Sequence, residues 1–270
     1  MPKRLPIHFI YLSRSTKRVL AVLGSVFTLM FVLVSCGLFF PFSAELSSPR
    51  PKRVFVQHIT RSFHTLNGSL QSSDSGLCIS DLDYTGMQHI TPHIPQINDS
   101  ISTHCQDWLP YYGFPRFFTL QFLKSWYLPA PEVSPKAPIE FQLLSRQQTQ
   151  WGTVKISFEV KGPSHMSLYL RPHAGASLSG WSFGGGMLRR SGESFIFYSH
   201  GLDAPAWTFW IEIRVSLNVS PEEGLISLAI TAHYFSGSDG RSEPLESFLK
   251  RFPAWVFSSS WISTYHVYRY

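Results

Sequence analysis

The chain has 270 residues, 44% hydrophobic and 15% aromatic, with a formal charge of +6. That length allows one domain or two small ones at ~100–200 residues each. The charged share of 15%, against a usual ~25%, excludes a disordered, solvating chain. Lys3, Arg4, Arg14, Lys17 and Arg18 put five positive charges into the first 44 residues, which hold no acid, so the rest of the chain is close to neutral. A neutral body lacks the electrostatic footprint that phosphate backbones require, and no nucleic-acid partner is expected.

In chain order, residues 1–18 form a basic tail and residues 19–41 read as a transmembrane helix. Val19 to Phe40 carries no charge, and twenty-two residues at ~1.5 Å rise span ~33 Å, enough for a ~30 Å hydrocarbon core. Ser25, Thr28 and Ser35 can return their hydroxyls to the helix backbone. A cleaved signal peptide would have a shorter apolar core and a small-x-small site, whereas Phe42 sits three residues before the best cut. Leu33-Val-Ser-Cys36 resembles a lipidation box, but Gly-Leu-Phe-Phe-Pro-Phe follows it in place of a polar tether. The excess of basic residues before the helix predicts a cytosolic N-terminus and a luminal or extracellular body. The sequons at Asn67, Asn98 and Asn218, glycosylation candidates, all lie beyond the helix and agree with that orientation. In an oxidising compartment Cys78 and Cys105 are a disulfide candidate; two buried thiols are the alternative.

After a linker over 42–52, residues 53–270 read as β structure. Val154, Ile156, Phe158 and Val160 alternate with polar residues, as do Trp207 to Val215, Met166 to Leu170 and Ile226 to Ile230. Period two puts each apolar set on one face of a strand. Val54–Thr60, Leu77–Leu82, Ile139–Leu144, Ser194–Tyr198 and Trp261–Tyr268 are further candidates. Seven to nine short strands predict a mainly β fold, an antiparallel β-sandwich with one or two short helices. One helix is expected after Ser242 as cap, with Pro244 in its first turn and Leu245, Phe248, Leu249 and Phe252 on one face. Residues 84–138, rich in proline and aromatics, are expected to wrap the sandwich, the membrane surface or a neighbour.

The sequence offers little catalytic chemistry. His89 and His93 are four apart, but Pro92 between them and Pro95 after them oppose a helical metal face; a site with His104 and Cys105 would need the loop to fold back. Ser199, His200 and Asp203 can be drawn as a triad, yet neighbours on a strand point to opposite faces. Glu222-Glu223 and Gly184-Gly185-Gly186 read as turns. Trp181 and Trp210 could stack a sugar or pack under a loop. No catalytic residue, metal ligand or cofactor is therefore assigned to this chain.

Several ungapped stretches carry a family resemblance: Pro51-Lys-Arg-Val-Phe55, Gln57-His58, Asp83-Tyr-Thr-Gly86, His89-Ile-Thr-Pro-His-Ile-Pro95, Ile97-Asn-Asp-Ser100, Trp126-Tyr-Leu-Pro-Ala-Pro-Glu-Val-Ser-Pro135, Gly162-Pro-Ser-His-Met-Ser167 and Phe197-Tyr-Ser-His-Gly-Leu202. Together they resemble the C-terminal luminal domain of the endoplasmic reticulum metallopeptidase 1 family. The resemblance implies a multi-spanning membrane protein whose aminopeptidase-like catalytic domain holds zinc in the lumen. This chain matches only what looks like the last membrane helix and the tail domain, so no zinc or catalytic position can be carried over. The expectation is a non-catalytic, membrane-anchored luminal accessory or assembly domain, as a fragment or short isoform. Its expected partners are the membrane and a peptidase domain or luminal protein. A glycan- or peptide-binding β-sandwich, or a subunit of a complex with a separate catalytic chain, are the alternatives.

Overall fold

Apolar residues at every second position commit most of the body to strands, and an unbroken apolar run commits the N-terminal region to a helix. The computed structural model describes residues 16–36, 42–47, 49–82, 85–98, 125–184, 192–201, 203–216 and 224–270. They fall in two units that divide between Lys52 and Arg53.

In the first unit, helix α1 spans Thr16–Ser35 and buries no side chain. Its 20 residues rise ~30 Å, the thickness of a hydrocarbon core. The helix begins three residues before the expected start, taking Lys17 and Arg18 into its first turn; residues 37–41 lie outside the described residues. Thr28 Oγ1 donates to the Gly24 carbonyl at 2.9 Å, so its polarity is met within the helix. In the following linker, Ser43 and Arg50 exchange two backbone hydrogen bonds and close a small turn.

The second unit holds eleven strands among the described residues, more than the seven to nine expected. They are β1 (Lys52–His64), β2 (Leu70–Asp81), β3 (Ser125–Pro129), β4 (Glu140–Gln148), β5 (Thr153–Lys161), β6 (His165–Pro172), β7 (Ala176–Trp181), β8 (Ser194–Ser199), β9 (Trp207–Val215), β10 (Ile226–Tyr234) and β11 (Val256–Arg269). One sheet has seven strands in the order β3-β2-β1-β11-β10-β6-β8; the other has four in the order β4-β5-β9-β7. The fold is thus mainly β, with two sheets and an apolar helix before them.

Strand alternation divides the side chains between two cores. On β10, Leu228 and Ile230 join Met166, Leu168 and Leu170 of β6 against Ile156, Phe158 and Val160 of β5 and Phe209, Ile211 and Ile213 of β9. This is the interior between the two sheets. Two residues further along the same face of β10, Ala232 and Tyr234 enter a second core with Val54, Val56, Leu77, Ile79 and Ile262. Its cover is not a sheet. Met87, Ile90, Ile94 and Ile97 supply one part, and Leu245 and Phe248 of helix α2 (Glu243–Leu249) supply the other. The first four of these residues lie in the stretch 84–138, around a 3₁₀ turn at Pro95–Ile97, and residues 99–124 of that stretch lie outside the described residues. Its C-terminal part contributes an edge strand, β3. Helix α2 is capped as the sequence predicts, with Ser242 Oγ accepting from the Leu245 amide at 3.3 Å.

The β1–β2 hairpin is longer than the apolar pattern suggested. Arg61 is 2% exposed and donates from Nε and Nη2 to the two carboxylate oxygens of Asp74 at 2.5 and 2.6 Å. Its guanidinium also lies 4.8 Å from the Tyr127 ring centre. That forked pairing lets a charged residue sit inside a strand whose sequence looked like a loop. Gly76 opposite Pro129 is required by closeness: a Cβ there would come 2.5 Å from the Tyr127 ring and 2.6 Å from the Leu128 carbonyl.

Candidate functional site

The side chains with chemical potential are the histidines, and the fold uses the buried His58 and His233 as struts. His58 on β1 is fully buried. Its Nε2 lies 3.0 Å from the Pro131 carbonyl and so carries the proton, which leaves Nδ1 to accept from Ser242 Oγ at 2.7 Å. The ring thereby ties the seven-stranded sheet to the cap of α2 and to the chain before β4. Burial lowers its pKa, opposed by the bond to Pro131.

A second polar system crosses the opposite face of that sheet. Gln57 Nε2 donates to Ser263 Oγ at 2.6 Å, and Ser263 lies 3.1 Å from His233 Nδ1. The other ring nitrogen, Nε2, lies 3.2 Å from Ser167 Oγ. Because Ser263 accepts from the amide, its own proton points to Nδ1, and Nε2–H is left to donate to Ser167. The direction is fixed across β1, β11, β10 and β6. Burial pushes His233 down to about 3, with His165 adding a smaller electrostatic push. A ring this reluctant to take a proton, and with no carboxylate in the ladder, sets strand register and is unsuited to general-base work.

Nearby, His64 stacks on Tyr268 at 4.3 Å between ring centres and reaches His266 Nδ1 at 3.4 Å. Burial, then His64, lowers His266 to about 4. The ladder was missed because its members are far apart in sequence; the available signal was a histidine inside the mostly uncharged, buried run Ile226–Tyr234.

The other sequence candidates are not brought together. Among the described residues, no three His, Cys, Asp or Glu side chains could hold one metal ion. His89 lies beside Gln88, and His93 meets Trp255 edge-on at 6.1 Å; His104 and Cys105 lie outside the described residues. His200 Nδ1 is engaged with the Gly201 carbonyl, and no hydrogen bond joins Ser199, His200 and Asp203. Trp181 packs edge-on against Phe183 beside the inter-sheet core. Trp210 has the Lys155 ammonium 4.4 Å from its ring centre. Neither indole is a bare stacking shelf. Glu222, Glu223, Gly185 and Gly186 lie outside the described residues, and Gly184 has a left-handed backbone at φ +77.

Asn67 is exposed in the turn between β1 and β2, and Asn98 is exposed after the 3₁₀ turn; Asn218 lies outside the described residues. Cys78 is 4% exposed and packs with Ile59, Tyr127, Tyr169 and Tyr265 on the ladder face; its candidate partner Cys105 lies outside the described residues.

An apolar helix of spanning length and a two-sheet β domain in which the buried His58 and His233 serve as internal struts define a β module preceded by a candidate membrane span. The comparisons name its family. The family described as "Endoplasmic reticulum metallopeptidase 1, C-terminal domain" matches residues 49–268, and the chain belongs to it. Endoplasmic reticulum metallopeptidase 1 of Homo sapiens is 51% identical over 266 residues, covering 97% of this chain and 29% of the human protein. The Mus musculus protein matches at the same identity and coverage, and the Rattus norvegicus protein at 50%. The chain thus spans less than a third of the length of these relatives. Among solved structures, the yeast delta-COP-I mu-homology domain overlays 83% of this chain and 98% of its own at 8% identity; its TM-score of 0.32 carries no argument.

Proposed function

We propose that this chain is a non-catalytic, membrane-anchored accessory or assembly domain of the endoplasmic reticulum metallopeptidase family. In this reading α1 crosses the membrane with its basic end in the cytosol, and the β domain stands in the lumen. The observation that carries the proposal is the use of the buried histidines. His58 and His233 each spend both ring nitrogens on serine hydroxyls or a backbone carbonyl, which suits a scaffold and leaves no ring nitrogen for zinc. The endoplasmic reticulum name of the relatives and the length of α1 support an endoplasmic reticulum membrane location. Zinc chemistry in the family would belong to a catalytic domain that this chain does not match.

The test is co-expression of the full chain with the remaining portion of the human relative, each tagged, in membranes solubilised with a mild detergent. Co-purification, with peptide hydrolysis confined to preparations containing the other portion, is expected. Zinc-dependent hydrolysis by this chain alone would overturn the non-catalytic reading. Failure to associate would overturn the assembly role.

A further inference from the structure

One end of the ladder face carries a second, unrelated set of groups. The register pairs Ser227 of β10 with Arg171 of β6 on one side and with Arg269 of β11 on the other. Directly opposed residues share a face, so the three form one cross-strand row with a hydroxyl between two guanidinium stems. Strands ~4.8 Å apart put the two arginine backbones ~10 Å from each other, a span that two long side chains can close over one group above Ser227. The row borders a cleft of about 490 Å³ that Gln71, Phe63 and His173 also line.

The charges in this row are unequal. Arg171 donates from Nε to Glu193 Oε1 at 2.9 Å, with Nη2 2.6 Å from the same oxygen, so its charge is balanced within the fold. Arg269 is exposed and has no ion-pair partner among the described residues. The hydroxyl is also oriented. His173 Nδ1 lies 3.1 Å from the Gly224 carbonyl and must donate to it, which leaves Nε2 to accept from Ser227 at 2.7 Å.

We propose that this cleft is an oxyanion-binding site, in which Arg269 supplies the unbalanced charge and the Gln71 side-chain amide supplies a neighbouring donor to a phosphate or carboxylate group. Arginine forks are the protein groups best matched to both. The cleft is larger than one oxyanion and lies in the size range of sites for small organic molecules, so the anion is expected to be the head of a larger ligand. A phosphoryl group and a peptide C-terminus share this chemistry. This site is independent of the assembly role proposed above.

The test uses the full chain in a non-ionic detergent at fixed ionic strength and near pH 7, by isothermal titration. The probes are inorganic phosphate, a short peptide with a free C-terminal carboxylate, and the same peptide amidated. Saturable binding of phosphate or of the free-acid peptide, with none for the amide, is expected, and the probe that binds identifies the source of the anion. Arg269→Gln should weaken that binding at least about tenfold, the scale of a lost charge-assisted contact, and Arg269→Lys should weaken it less. Both are surface changes, and their melting temperatures should match the parent's. Failure of both anionic probes to saturate, or equal affinity in Arg269→Gln, would overturn the site. Glu222 and Glu223 lie just before Gly224 in sequence, so Glu222→Gln with Glu223→Gln should leave affinity within about twofold. A tenfold gain there would mean that a carboxylate of this chain fills the cleft, and would overturn the proposal as well.

Discussion

Acid should weaken the β domain through His233 in a way that one substitution can isolate. In the folded chain its ring is 2% exposed and held down to about 3, against 6.5 when unfolded. The folded pKa is depressed, so below pH 6.5 the unfolded chain binds a proton that the folded chain refuses. Stability is complete above pH 6.5 and is lost as pH falls from 6.5 toward 3. At ~1.4 kcal/mol per pH unit, the loss from this residue reaches ~2 kcal/mol at pH 5. His266, lowered to about 4, adds a similar amount. His233→Asn removes the titration and keeps an amide for Ser263. At pH 7.5 the variant should be ~1–3 kcal/mol less stable, from lost hydrogen bonding and packing. Between pH 7.5 and 5 it should lose ~2 kcal/mol less than the parent. Urea unfolding of the full chain in detergent, read by tryptophan fluorescence at both pH values, measures both quantities. Equal acid losses in parent and variant would refute the claim that His233 is held neutral in the fold.

Further outcomes follow from other contacts. Ser242→Ala removes the cap of α2 and a bond to His58 together, and should cost ~1–3 kcal/mol in the same unfolding assay; a change under ~0.5 kcal/mol would discount both contacts. Non-reducing peptide mapping of the endogenous protein should recover a Cys78–Cys105 cross-link, and quantitative alkylation of both thiols without reduction would exclude it. With the domain in the lumen, Asn67→Gln and Asn98→Gln should each remove one glycosidase-sensitive step on a denaturing gel. A parent band unaffected by glycosidase in mammalian cells would count against the orientation.

The parts of the fold legible in the sequence are those where one face is apolar and the other is not. Val154 to Val160 and Trp207 to Val215 alternate cleanly because the four-stranded sheet buries one face against Met166, Leu168 and Leu170. The cap and turn chemistry of Ser242 and Pro244 is local, and it placed α2 correctly. Legibility fails where both faces of a strand are engaged or where burial is satisfied by pairing. Arg61 and Asp74 read as surface residues until their partnership is seen, so β1 and β2 were drawn short. Strand β7 was missed because Ala176–Trp181 is small, polar and only half-buried at most positions. The histidine struts join β1 to β11, or β6 to β10, across separations that no local pattern reports.

One face of the seven-stranded sheet closes two cores under two different covers, and Ile139, at the entry to β4, packs against both. The sheet is in this sense a keel with two decks, and Ile139 is the plank they share. Rigid strands beneath do not oblige the decks to lift together. The four-stranded sheet holds its place through broad apolar contact. The other deck is a short helix and a turn-rich segment, tied down at points such as His58 and the Tyr234 hydroxyl, which donates to the Ala137 carbonyl at 2.8 Å. A cover fastened at points can open at lower free energy than one glued over its whole area. Native-state hydrogen exchange should therefore find α2 and residues 87–97 opening before β5 and β9, with the keel intact beneath them.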